Sequence, residues 1–308
     1  MRVGTFQYFA ARRDIDALRE LADYVIARHY PAITDSKTPY LALLGAVAEA
    51  QASLVARWMQ LGFIHGVMNT DNMQIAGETI DYGPCAFMDW YDPKTVYSSI
   101  DYMGRYAYVN QPAIAHWNLG CLAGALLPII GDDQDTALEA AREVLEPFPT
   151  QFETAWLAGF RPKLGLTDAD EEDAALIRDL LSTMHDASAD FTLTFRALAH
   201  FATEPNRLYQ LFPQPAGIDD WLRRWQQRLE RETITGEEQH RLMRYANPAV
   251  IPRNHLVEQA IQSALDGDFN DFQRLLDATT NPFVEPDDAA LTEPPEPEQV
   301  VRQTFCGT

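Results

Sequence analysis

The sequence predicts a mainly α-helical fold. Apolar residues recur at three- and four-residue spacing through most of the chain, and strand-like texture is confined to one stretch of about thirty residues. Between the periodic runs stand the Asp, Asn and Pro residues that start and stop helices. At 308 residues and 46% hydrophobic side chains, the chain has material for a sizeable core, in one large or two ordinary domains.

Asp14 is placed to cap a helix that carries Ile15, Leu18, Leu21, Ala22, Val25 and Ile26 on one stripe and stops before Pro31. A second helix starts near Pro39 and runs to Met59 or Leu61, apolar around enough of its circumference to be central and buried. From Gly62 to Asp92, Gly, Asn and Asp alternate with short apolar pairs, the composition of functional loops and small strands. Within it, Met73-Gln-Ile-Ala and Thr79-Ile-Asp-Tyr, joined by Gly77-Glu78, read as a tight β-hairpin. Helices return after Asn110: Ala115–Leu127, Asp135–Leu145, Phe152–Gly159, Ala169–Met184, Phe191–Phe201, Ile218–Glu230, Gly236–Tyr245, His255–Asp266 and Asp268–Ala278. From Asn281 the chain is rich in Pro and acids, which predicts an extended, poorly packed tail. The expected organisation is a core over 1–150, a helical extension over 151–280 and a tail over 281–308.

Charge narrows the function. Lys and Arg number 24 against 45 Asp and Glu, a net charge of −21 that repels phosphate backbones and argues against a nucleic-acid partner. No uninterrupted apolar run of about 18 residues is readable, and the first residues lack the order of a signal peptide. The expectation is a cytoplasmic chain with no membrane partner. Cys85, Cys121 and Cys306 are too few and too scattered for a disulfide scaffold or a zinc site. Trp221 and Trp225, with Arg223, Arg224 and Arg228, fit an amphipathic helix better than a nucleic-acid face.

Chemistry concentrates in His65-Gly-Val-Met-Asn-Thr-Asp-Asn72 and in Asp81-Tyr-Gly83. Kinase-type phosphoryl transfer needs one loop residue to orient the nucleophile, and an Asn and a separate Asp to hold metal ions on the nucleotide. Asn72 follows His65 by seven residues, as in the protein-kinase pattern, and Asp-Tyr-Gly stands where Asp-Phe-Gly would. Oxygen ligands of this kind suit Mg²⁺ or Mn²⁺ rather than zinc. Two residues after the His, where kinases keep their base, this chain has Val67. The nearest acid is Asp71, so the reaction geometry differs from ordinary γ-phosphate transfer. Singly, each fragment is an ordinary loop or turn; in this order they favour a nucleotide–metal site, with His65 bracing the loop.

These motifs, with Thr79-Ile-Asp-Tyr-Gly-Pro84, Gly104-Arg-Tyr-Ala-Tyr, Asn110-Gln-Pro and Trp117-Asn118-Leu119, strongly resemble the selenoprotein O family. So do Arg2-Val-Gly-Thr-Phe-Gln-Tyr-Phe, Asn247-Pro, Arg253-Asn254 and the terminal Phe305-Cys-Gly-Thr308. The resemblance implies a protein-kinase-like carboxy-terminal lobe that binds ATP in reversed orientation and transfers AMP to hydroxyl side chains of protein substrates. UMP transfer from UTP is a variant activity. It implies Asp71 as general base, Asn72 and Asp81 as ligands of Mg²⁺ or Mn²⁺, and Arg2 on the terminal phosphate. Asp81 would also reach the nucleotide through the metal.

Cys306 matches the family's selenocysteine or cysteine position, which in some members pairs with a cysteine after the Asp-Tyr-Gly. The matching partner position here is Tyr97, whereas Cys85 lies directly after Asp-Tyr-Gly-Pro. A redox-active Cys85–Cys306 bridge is one reading, and two free thiols, favoured in a reducing compartment, are the other. The family pattern also includes a preceding lobe with a glycine-rich loop and a phosphate-pairing lysine. Lys37, Lys94 and Lys163 follow no such loop, so the resemblance implies that this chain alone is weak or inactive. Two other readings stay open at this point: a non-catalytic remnant that binds a partner or a separately supplied upper lobe, and a small-molecule kinase. Val67 argues against the kinase.

Overall fold

The computed structural model describes residues 1–305, which form a mainly helical structure. It opens with α1 (Val3–Ala11), α2 (Ile15–His29) and α3 (Pro39–Gln60), then a short antiparallel pair, β1 (Phe63–Ile64) with β2 (Ala86–Phe87). There follow α4 (Gln111–Ile130), α5 (Gln134–Leu145), α6 (Phe148–Lys163), α7 (Asp173–Ala187), α8 (Phe191–Ala199) and α9 (Pro205–Tyr209). The series closes with α10 (Pro215–Leu229), α11 (Gly236–Ala246), α12 (Asn254–Leu265) and α13 (Asn270–Thr280).

Local chemistry accounts for the long helices. Asp14 accepts the N–H of Ala17 (3.1 Å), which satisfies a first-turn donor of α2, and the helix buries Leu18, Ala22, Val25 and Ile26. In α3, Pro39 takes the first turn, where its missing N–H costs nothing. Beyond it the helix is buried around much of its circumference, against α4 on one side and α6 on another. By length and composition α3 and the stretch Tyr108–Ile130 would each suit a bilayer, although neither is an uninterrupted apolar run. A helix passes that test with scattered polar residues such as Gln51 and Asn118 in it. In this fold the two pack on one another as core helices.

Apolar side chains form two main clusters. One gathers α1 to α5 with Met68, Met73 and Ile75 from the loop between β1 and β2; the other centres on Phe160, Phe191, Phe195, Trp221 and Trp225 from α6, α8 and α10. α6 lies along α3 and joins them. Trp221 and Trp225 stack 5.7 Å apart and donate their indole N–H groups to Leu176 O and Leu164 O. On the same helix Arg224 pairs with Asp179 and Arg228 with Asp173, so α10 is the amphipathic helix expected.

Three expectations are corrected. The hairpin over residues 73–82 does not form. Gly77 closes a turn onto Gln74 O with φ +71°, but the paired strands are β1 and β2, which bracket the whole loop from outside. The backbone of 73–75 bonds instead to the chain's first residues. Second, α1 and α9 were not read as helices. Third, the acidic tail is irregular and mostly exposed, as composition suggests, but it is anchored at several points. Arg196 binds Glu285 (2.6 Å) and Phe283 O (3.3 Å), Arg253 binds Thr292 O (3.1 Å), and Thr304 bridges in parallel to Ser98. Composition reveals that a segment is not helical; it does not reveal which buried arginines will claim its carbonyls.

Candidate active site

The loop after β1 is wound around one side chain. Asn69 Oδ1 accepts the N–H groups of Asp71 (2.9 Å) and Asn72 (3.0 Å), and Asn72 Nδ2 donates to Val67 O (3.0 Å). With its amide nitrogen committed inside the loop, Asn72 keeps its Oδ1 for an outside partner. Two fully buried residues of α4 clamp the loop from below. Asn118 donates to Met68 O (2.9 Å); Gln111 accepts from His65 N (3.0 Å) and donates to Phe63 O (3.0 Å).

The amino-terminal segment lies against the same loop. The N–H of Val3 bonds to Met73 O (3.0 Å), that of Gly4 to Thr70 O (2.8 Å), and that of Ile75 to Met1 O (2.8 Å). The loop thereby satisfies first-turn donors of α1 that no helical carbonyl can reach. Gly4 approaches Asp71 so closely that a Cβ at position 4 would overlap the carboxylate. Arg2, which bridges to Gln74, is exposed beside this contact. Arg2, Gly4, Asp71 and Asn72 thus share one neighbourhood.

Asp81 is joined to that neighbourhood through His65. The imidazole Nε2 lies 2.8 Å from Ile80 O, and only an N–H can meet a carbonyl there, so His65 is the Nε2–H tautomer. Its Nδ1 is buried without a partner, and burial holds its pKa below the usual histidine value. Trp58 packs 5.3 Å from the imidazole and donates to Thr79 Oγ1 (2.8 Å), fastening the approach to Asp81 onto α3. Gly66 closes the loop's other end: at φ +84°, a Cβ there would come 2.7 Å from Pro84 O. Asp81 itself is exposed, with a left-handed backbone at φ +59°.

Among the described residues no three His, Cys, Asp or Glu side chains gather into a closed metal cage. The candidate donors are Asn72 Oδ1 and the Asp81 carboxylate. Hard oxygen donors of this kind would suit Mg²⁺ or Mn²⁺. Cys85 is half-buried, donates its thiol to Tyr82 O (3.3 Å), and is pushed by burial up to about 11, which keeps it protonated. Cys306 lies outside the described residues. Tyr97 is buried, and its carbonyl accepts the N–H of Thr304 (2.7 Å).

Sequence reasoning placed His65, Asp71, Asn72 and Asp81 on one loop system but missed Gly4, Asn69, Trp58 and the clamp from α4. Gly4, Asn69, Gln111 and Asn118 all stand inside the motifs given above, so a signal existed for them; the contact of Gly4 with Asp71 had none at the level of spacing.

Residues 1–280 match the family model described as Protein adenylyltransferase SelO. The chain belongs to the SelO family. SelO-type relatives in Rhizobium meliloti (strain 1021) and Rhodopseudomonas palustris (strain BisB5), each named protein nucleotidyltransferase YdiU, are 55% identical to it over 313 residues. A relative of the same name in Cereibacter sphaeroides (strain KD131 / KCTC 12085) is 54% identical over 310 residues. Each alignment covers 100% of this chain but only 63–64% of the relative. The SelO match ends at residue 280, so the tail contacts at 283–304 lie beyond it.

Proposed function

We propose that this SelO-family chain carries the catalytic loop of a protein nucleotidylyltransferase, moving AMP from ATP to Ser, Thr or Tyr hydroxyls of protein substrates. The observation that carries the reading is the packing of Asp71 on Gly4, which sets an exposed carboxylate beside Arg2 and next to the free oxygen of Asn72. Family membership and the relatives' names support it.

In this reading the fold corresponds to a kinase-like carboxy-terminal lobe and the nucleotide lies reversed, with its α-phosphate toward Asp71. Asp71 takes the proton of the acceptor hydroxyl, whose oxygen forms a bond to the α-phosphorus. The bond from that phosphorus to the bridging oxygen breaks, and pyrophosphate leaves with Arg2 on its terminal phosphate. Asn72 and Asp81 would hold Mg²⁺ or Mn²⁺, which would offset the phosphate charge. His65, uncharged, keeps Ile80 and hence Asp81 in place. Because Asp71 and Asp81 stand exposed, transfer by the 308-residue polypeptide is slow, and a polypeptide of the relatives' length is faster.

Two substitutions separate the roles. Asp71→Asn keeps Mn²⁺-dependent ATP binding, followed by calorimetry, and loses transfer by about 10²-fold or more. Asp81→Ala loses the metal-dependent part of binding as well. Loss of binding in Asp71→Asn with retention in Asp81→Ala would overturn the assignment.

A further inference from the structure

The hairpin of α12 and α13 leaves a broad apolar surface open. Val257, Ala260, Ile261 and Ala264 repeat at helical spacing on α12 and face Phe272 and Leu276 of α13 across a groove of about 370 Å³. Leu265 is 76% exposed, Phe269 62% and Phe272 51%. Inner residues Leu256, Leu275 and Ala278 already pack against Ala249, Val250 and Leu291, so the fold's own core does not account for the outer face. Clustered large apolar side chains in water are the mark of an interaction surface.

Charge selects the occupant. From Asn254 to Val284 the chain carries Glu258, Asp266, Asp268, Asp271 and Asp277 against a lone arginine, Arg274, which is itself engaged by Asp288 and Asp271. Glu258, Asp266, Asp268 and Asp277 are exposed. Glu258 lies three and seven residues before Ile261 and Leu265 and so flanks the groove on α12, while Asp266 and Asp268 crowd the hairpin tip. A second copy would bring the same acidic rim on a chain of net charge −21. The chain's own tail is acidic and engaged elsewhere, at Arg196, Arg253 and Pro84. We infer that this groove docks an amphipathic helix of a partner protein whose apolar stripe is flanked by Lys and Arg. The stripe fills the groove, and the flanks pair with the acidic rim. This inference is independent of the nucleotide chemistry.

The test uses the whole 308-residue chain and two fluorescent helical peptides of about 18 residues. One has Leu at i, i+3, i+4 and i+7 with Lys on both flanks; its twin has Glu for each Lys. Anisotropy is expected to show the Lys peptide binding at least about tenfold more tightly than the twin, less tightly as salt rises, and at least about tenfold more weakly to Leu276→Asp. If Leu276→Asp disturbs folding by circular dichroism, the exposed rim decides: Glu258→Lys with Asp266→Lys reverses the peptide preference. Equal binding of the two peptides, no binding at about 1 mM, or unchanged preference in the rim variant overturns the proposal. So does a dimer in sedimentation velocity that Leu276→Asp dissolves, since the groove would then serve a second copy.

Discussion

Replacing Arg253 by methionine removes the cation from a buried cluster that joins three distant parts of the chain. Its Nη1 donates to Asp89 Oδ1 (2.5 Å), just after β2, and to Asp190 Oδ2 (2.8 Å), the N-cap of α8, while Nε donates to Thr292 O in the tail. The side chains of Arg253, Asp89 and Asp190 are 1%, 8% and 3% exposed. Burial lifts both carboxyls above the usual range, against the pull of Arg253. Methionine restores the apolar stem but strands two carboxylates, a loss of about 3–5 kcal/mol. That is a large share of the ~5–15 kcal/mol by which a domain is stable. Without the guanidinium both pKa values rise further, so the folded variant holds protons that the unfolded chain has released. Its stability then falls as pH rises, and its deficit against the native chain shrinks between about pH 8 and about pH 5.5. Urea unfolding followed by tryptophan fluorescence at the two pH values measures both effects, and adding Asp89→Asn with Asp190→Asn recovers most of the loss. A deficit under about 1 kcal/mol, or one equal at both pH values, would refute the buried-cluster reasoning.

Two further perturbations address the loop. Gly4→Ala places a methyl where the Asp71 carboxylate lies; transfer activity is expected to fall about 10²-fold while urea stability changes by no more than about 1 kcal/mol. Unchanged activity would mean that the carboxylate relaxes without consequence. His65→Gln keeps an N–H for Ile80 O but removes a titrating group. Because burial lowers the His65 pKa, the unfolded chain binds the proton first. The native chain therefore loses stability as pH falls through about 6.5 toward the folded-state value, and the loss levels off below that. The Gln variant lacks this component, and parallel pH–stability curves for the two proteins would contradict it.

How much was legible depended on where each segment's hydrogen bonds go. α2 and α3 were readable because their signals are local: Asp14, the Leu18–Ala22–Val25 face and Pro31 for the first, Pro39 and a broad apolar circumference for the second. α1 was not, since Val3-Gly-Thr-Phe has weak intrinsic preference and no side-chain cap, and its first donors are satisfied by Thr70 and Met73 across space. The hairpin reading of 73–82 failed for the same reason in reverse: Met73 O and the N–H of Ile75 pair with the amino-terminal segment. At the site, the His65–Asn72 spacing and Asp81-Tyr-Gly pointed to the stretch that the structure folds as one loop between β1 and β2. The supports of that loop come from residues as far as Asn118, and its contact with Gly4 depends on a missing side chain, which no local pattern announces.

The central claim is tested most directly by incubating the purified chain, Mn²⁺ and an acceptor protein with ATP labelled on either the α- or the γ-phosphate, beside an Asp81→Ala control. The account predicts label on protein from the α-position, none from γ, and none in the control. Label from the γ-position, or α-label that persists in Asp81→Ala, would contradict it.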